Sequence, residues 1–82
     1  MPEHDRINQF IVRTWKVPYK DYSIDFEAVW SLVSNATMHQ LPGGWYCKID
    51  GVDWDGELQT TAALAVCNAL YRSAGIPWSI HE

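Results

Sequence analysis

The stretch LQTTAALAVCNALYRSAGIP, residues 58–77, constrains this chain more than any other. Leu58, Ala62, Ala63, Leu64, Ala65, Val66, Cys67, Ala69 and Leu70 leave almost no polar stripe in its middle. A helix that is apolar all round has to be enclosed on every side, and its many alanines let neighbouring backbones approach closely. The spacing predicts a helix over residues 57–74, with Asp55 as its cap and Glu57 in its first turn. Gly75, Ile76 and Pro77 form a stop signal of the Schellman type. In a chain of 82 residues, one domain is expected, and the rest of it has to wrap this helix.

The wrapping elements are legible in outline. Over residues 5–15, Ile7, Phe10, Ile11 and Trp15 alternate with Arg6, Gln9, Arg13 and Lys16 at helical spacing, and Asp5 can cap the start. The segment QFIVRTW also holds strand formers that would suit a sheet edge. Val17-Pro18 stops the helix, because a residue before proline avoids the α region. Residues 18–23 read as a loop. A second helix starts from Ser23 or Asp25, puts Phe26, Val29, Trp30 and Val33 on one stripe, and fades near Asn35. NATMHQLPGG then reads as a connecting loop closed by Pro42-Gly43-Gly44.

The next segment, KIDGVDWDGE, reads as a β-hairpin around Asp50-Gly51. In that register Ile49 faces Val52, Lys48 faces Asp53 and Cys47 faces Trp54. Trp45, Cys47, Ile49, Val52 and Trp54 would share the buried face, with Tyr46, Lys48, Asp53 and Asp55 on the wet one. A calcium loop fits worse. With Gly56 in the invariant glycine position, Gly51 falls where the first carboxylate belongs and Ala62 where the bidentate glutamate belongs. The tail WSIHE has room for a short strand, with Trp78 and Ile80 pointing the same way. The expected fold is therefore α+β, in the order helix, helix, β-hairpin, helix, with a short C-terminal strand.

Composition removes several function classes. The formal charge is −4, so the chain as a whole offers no electrostatic footprint for nucleic acid. The charge is uneven: Arg6, Arg13, Lys16 and Lys20 precede residue 21, and eight of the ten acids follow Lys20. A weakly basic head on an acidic body suits self-association or a partner surface of matching charge. The longest apolar run, residues 62–67, is far short of a membrane span. Two cysteines make no disulfide framework and no leader-like segment opens the chain, so a reducing cytoplasm is the expected location.

Candidate chemistry is sparse. His4, His39, His81, Cys47 and Cys67 match no paired metal-ligand spacing, and no metal or cofactor is expected. Cys47 with His39 and an acid is the only nucleophilic constellation that can be assembled, and no nucleophile elbow, P-loop or dinucleotide fingerprint supports it. No enzymatic activity is expected.

Two binding readings remain. The loop over residues 17–22 carries Pro18, Tyr19, Lys20 and Tyr22, and Trp78 lies near the C-terminus; such residues anchor protein interfaces. Five tryptophans in so short a chain serve either a small core or an exposed face. Asp53 and Asp55, with Asp50 and Glu57, can present a phosphate-like acidic face, although a turn and a helix cap use the same residues. In size, acidity and tryptophan content the chain resembles stand-alone inhibitors that phages and other mobile elements direct against bacterial systems, anti-CRISPR proteins among them. The resemblance implies a small protein-binding inhibitor or adaptor that acts by occluding a bacterial partner, as a monomer or homodimer. The alternative is a nucleic-acid regulator that uses Arg6, Arg13, Lys16 and Lys20, with Trp15, Tyr19 and Tyr22 as stacking platforms.

Overall fold

A computed structural model describes residues 2–54, 56–76 and 78. The elements are α1 (Pro2–Trp15), α2 (Phe26–Trp30), β1 (Ala36–Leu41), β2 (Gly44–Ile49) and α3 (Ala62–Ser73). This is the α+β order helix, helix, hairpin, helix that the sequence predicts. The strand expected near Trp78 and Ile80 falls largely on residues outside the described ones.

The apolar helix takes the central place its composition demands. Every residue of α3 from Ala63 to Tyr71 is buried, with α2 and β2 packed against it. Its end follows the Schellman pattern, Ile76 N–H donating to the Tyr71 carbonyl and Gly75 N–H to that of Arg72, each at 3.0 Å, with Gly75 at φ +75°. Its start differs from the expectation. The helix begins at Ala62, where Thr61 Oγ1 accepts from Leu64 N–H at 3.1 Å. The cap expected at Asp55 lies outside the described residues. Upstream, Gln59 is held in a bridge to Trp45, N–H to carbonyl in both directions at 2.8 Å. Backbone bonds to a strand edge thus replace the extra helical turn, and a threonine cap is a stable place to begin.

The hairpin lies one step upstream of the predicted register. β1 and β2 pair antiparallel from Ala36↔Ile49 to Leu41↔Gly44 around the two-residue loop Pro42-Gly43. Proline second and a glycine at φ +104° third is an ordinary turn chemistry. Gly44 is needed for a different reason, since a Cβ there would lie 2.6 Å from the Gln59 carbonyl oxygen. Asp50-Gly51 does turn the chain, with Val52 N–H bonded to the Ile49 carbonyl at 2.9 Å, but among the described residues no strand returns from it. Lys48 faces Thr37 rather than Asp53, and Cys47 faces Met38 rather than Trp54. The face assignment along β2 holds, with Cys47 fully buried and Lys48 exposed. Trp54 does not join the buried face; it stacks on Tyr46 at a centroid distance of 3.9 Å.

α1 extends upstream of Asp5 and buries Ile7 and Ile11 as expected. Its strand alternative is excluded. Asn8 is also buried, its Oδ1 accepting from Ser23 N–H at 2.9 Å, so a polar side chain on the inner face ties the helix to the following loop. Lys16 at φ +56° ends α1 just before Val17-Pro18. α2 starts from the Asp25 cap, whose carboxylate accepts from Ala28 N–H at 3.3 Å, but it stops at Trp30. The i→i+3 bonds of Leu32 and Val33 continue the turn, so Val33 still packs against the core beyond the helix proper.

Candidate interaction surface

Of the charged and aromatic residues singled out from the sequence, Arg6, Arg13 and Trp15 lie on α1 and Tyr19 lies against it. Arg6, Gln9 and Arg13 recur at i, i+3 and i+7 and all are exposed, which makes them a continuous outward face. On one side of that face Tyr19, 48% exposed, donates its hydroxyl to Asp5 Oδ1 at 2.9 Å and accepts from Asn8 Nδ2 at 3.3 Å. On the other side Phe10 lies against Tyr71 with centroids 4.1 Å apart. Trp15 meets Phe10 edge-on at 5.9 Å, and Trp78 meets Tyr71 edge-on at 4.9 Å. Burial raises the Tyr71 phenol pKa, the nearby Cys67 thiol adds to the rise, and the charges of Arg6 and Arg13 pull it back. Lys16 and Lys20 are exposed as well.

Tyr22 leaves the set of surface candidates. It is 2% exposed, and its hydroxyl donates to the Pro18 carbonyl at 2.6 Å. Its ring is core, so it serves neither as an interface anchor nor as a stacking platform. Its burial was invisible in PYKDYS, where Tyr19 and Tyr22 have equal claims. Trp78 is half-buried, and its indole Nε1 is enclosed without a hydrogen-bond partner among the described residues. The Asp53 side chain is exposed, but its backbone carbonyl accepts from Arg72 Nη1. Asp55 lies outside the described residues.

A second aromatic group was not anticipated. His39, Tyr46 and Trp54 stack along the outer face of the hairpin, His39 to Tyr46 at 4.7 Å and 12°, and Tyr46 to Trp54 at 3.9 Å and 14°. Trp54 is held there by its Nε1, which donates to the Glu57 carbonyl at 2.9 Å. The only sequence signal for it is the His39↔Tyr46 pairing, which needs the correct hairpin register to be seen.

The nucleophilic constellation comes apart. Cys47 points into the core while its strand neighbour Tyr46, opposite His39, points out, so Cys47 and His39 occupy opposite faces of the hairpin. Burial pushes the Cys47 thiol up to about 11 against an opposing pull from Arg72, and burial drives the Cys67 thiol up still further. Neither is a thiolate at neutral pH. His4 Nδ1 and Ser23 Oγ are hydrogen-bonded at 2.8 Å, but Ser23 is 1% exposed and has no route to a substrate. Among the described residues no three His, Cys, Asp or Glu side chains group closely enough to hold a metal ion, and no helix is long and apolar enough to cross a membrane.

One open cleft of about 170 Å³ lies between Trp15, Val33, Ile49 and Leu70. Pockets for small organic ligands are usually about 300–1,000 Å³, so this cleft suits a single side chain better than a cofactor. Comparison with protein-family models, with curated proteins and with solved structures returned no match.

Proposed function

We propose that this chain is a non-catalytic protein-binding module that uses the outward face of α1 to engage an acidic patch on a partner, as an inhibitor or adaptor that acts by occlusion. The observation that carries this reading is the placement of Arg6, Gln9 and Arg13 between Tyr19 on one side and the Phe10–Tyr71–Trp78 cluster on the other. Arginine flanked by tyrosine and tryptophan is the composition of interface hot spots, where the rings exclude water and the cation fixes the register. Along the chain Arg6, Arg13, Lys16 and Lys20 all precede eight of the ten acids, an asymmetry that favours oriented encounter with a negatively charged surface. The short, acidic, tryptophan-rich character of the chain supports a bacterial target encountered by a phage or mobile-element product.

The nucleic-acid reading draws on the same cations but is less well supported. Stacking platforms need open ring faces; of the three rings this reading would use, Tyr22 is buried, Trp15 is half-buried with Phe10 edge-on to it, and Tyr19 alone is exposed.

The test is capture from a bacterial lysate by the tagged chain and by an Arg13→Glu, Lys16→Glu variant, at two salt concentrations, with and without nuclease. The reading expects one stoichiometric protein that survives nuclease, is weakened by salt and is lost with the variant, whose melting curve stays unchanged. Recovery that depends on intact nucleic acid would transfer the function to the regulator reading. A partner held equally by the variant would remove α1 from the interface.

A further inference from the structure

The two edges of the hairpin are treated differently by the rest of the chain. The outer edge of β2 is closed: Trp45 exchanges both backbone bonds with Gln59, and the Cys47 carbonyl accepts from Arg72 Nη2 at 2.8 Å. These contacts also identify the direction of the backbone groups. In an antiparallel pair alternate residues turn their N–H and C=O outward, and on β2 these are Trp45 and Cys47. Their partners on β1, Gln40 and Met38, and by the same alternation Ala36, turn theirs to the opposite edge. There, among the described residues, no backbone group meets them.

Native edges are usually blunted by charge, proline or a bulge, and β1 has none of these. Ala36-Thr37-Met38-His39-Gln40-Leu41 contains no Asp, Glu, Lys or Arg, and its pairing with β2 runs residue for residue without interruption. On a chain of formal charge −4, this uncharged strand is where two copies can meet with least repulsion.

We propose that β1 pairs antiparallel with β1 of a second copy of this chain, about a two-fold axis at Met38, to form a continuous four-stranded sheet. One register satisfies every outward group: Met38 opposite Met38, and Ala36 opposite Gln40 in each direction. It keeps inner-face residues against inner-face residues, as an antiparallel pair requires. It joins the two half-buried Met38 side chains and sets Thr37 opposite His39 on the outer face, where no like formal charges oppose one another. Identical strands about a two-fold form a closed, self-complementary interface that does not propagate. The dimer would carry two copies of the α1 face, and the proposal stands whether or not that face binds a partner.

The experiment is sedimentation velocity of the full chain from micromolar to millimolar concentration, paired with amide hydrogen exchange at Ala36, Met38 and Gln40. The expected result is a concentration-dependent shift from 9.4 kDa to twice that mass, with protection of the three amides rising in parallel. Gln40→Pro deletes an outward N–H while sparing the bonds to β2, and it should weaken the dimer by about tenfold or more. If that variant does not fold, Thr37→Glu, which faces Lys48 within its own hairpin and adds negative charge where two acidic chains would meet, carries the same expectation. Three results would each overturn the proposal. The first is a monomer at every concentration with fast exchange. The second is a monomer whose edge is protected regardless of concentration, meaning that the chain's own C-terminal residues cover it. The third is a dimer that these substitutions do not affect.

Discussion

Arg72 Nη2 donates to the backbone carbonyl of Cys47 at 2.8 Å, joining the last turn of α3 to the middle of β2. The same side chain donates through Nε to Asn68 Oδ1 at 2.8 Å and through Nη1 to the Asp53 carbonyl. One guanidinium therefore fastens the central helix, the hairpin and the following loop. Its planar fork of donors suits such multiple recognition in a way that a lysine ammonium does not.

Arg72→Ala should consequently destabilise the fold by about 2–3 kcal/mol, because it strands the Cys47 carbonyl as well as removing charged hydrogen bonds. Arg72→Lys should recover less than half of the loss. Urea denaturation of the three proteins measures both, and equal stability of wild type and the alanine variant would refute the fastening role.

Tyr19 and Tyr22 should separate cleanly. Tyr22→Ala empties a core site and should cost about 3–5 kcal/mol, and Tyr22→Phe about 1 kcal/mol for the lost bond to the Pro18 carbonyl. Tyr19→Ala should cost less than about 1 kcal/mol while weakening partner capture. Thermal melts followed by circular dichroism compare the three, and a large loss at Tyr19 would make it a structural residue too.

Glycine substitutions test the hairpin. Gly44→Ala drives a Cβ to within 2.6 Å of the Gln59 carbonyl and should cost about 2 kcal/mol or more while disrupting the Trp45–Gln59 bridge. At Gly51, φ +82° with no atom within 4 Å of the added Cβ, alanine bears only the conformational cost of about 1–2 kcal/mol. Hydrogen exchange at Trp45 and Gln59 should respond to the first change and not to the second.

The thiols predict a pH dependence. Both cysteines have a folded-state pKa raised above the ordinary value of 9.0 by burial, Cys47 to about 11. A thiol of this kind stabilises the fold fully below its unfolded pKa, and the contribution is lost as pH rises through the folded value. Stability should therefore fall from pH 9, the Cys47 part of the loss being complete near pH 11 while that of Cys67 continues above it, and Cys47→Ala should make the decline shallower without abolishing it. At pH 8 an aromatic disulfide reagent should label neither cysteine until denaturant is added. Rapid labelling of the native chain would show an accessible thiolate.

The sequence alone was sufficient for the body of the central helix, its Schellman stop, the inward stripe of α1 and the faces of β2, and it narrowed the cap of α2 to Ser23 or Asp25. Each rests on a local period or on a conformational preference of one or two residues, and local physics is readable along a chain. It was not sufficient for choosing between two turn-forming dipeptides, Pro42-Gly43 and Asp50-Gly51. Both turn the chain, and what distinguishes them is which flanking segment finds a partner across the sheet. Tertiary contacts made that choice: Gln59 closes the edge of β2, Arg72 secures Cys47, and Trp54 stacks on Tyr46 instead of entering the core. They likewise buried Tyr22 while leaving Tyr19 at the surface. The proposed interaction surface divides in the same way, because the helical spacing of Arg6, Gln9 and Arg13 is written in the sequence, whereas Tyr71, against Phe10, and Trp78, against Tyr71, come from the far end of the chain. Burial and strand pairing are properties of the assembled core, and no window of sequence contains the residues that impose them.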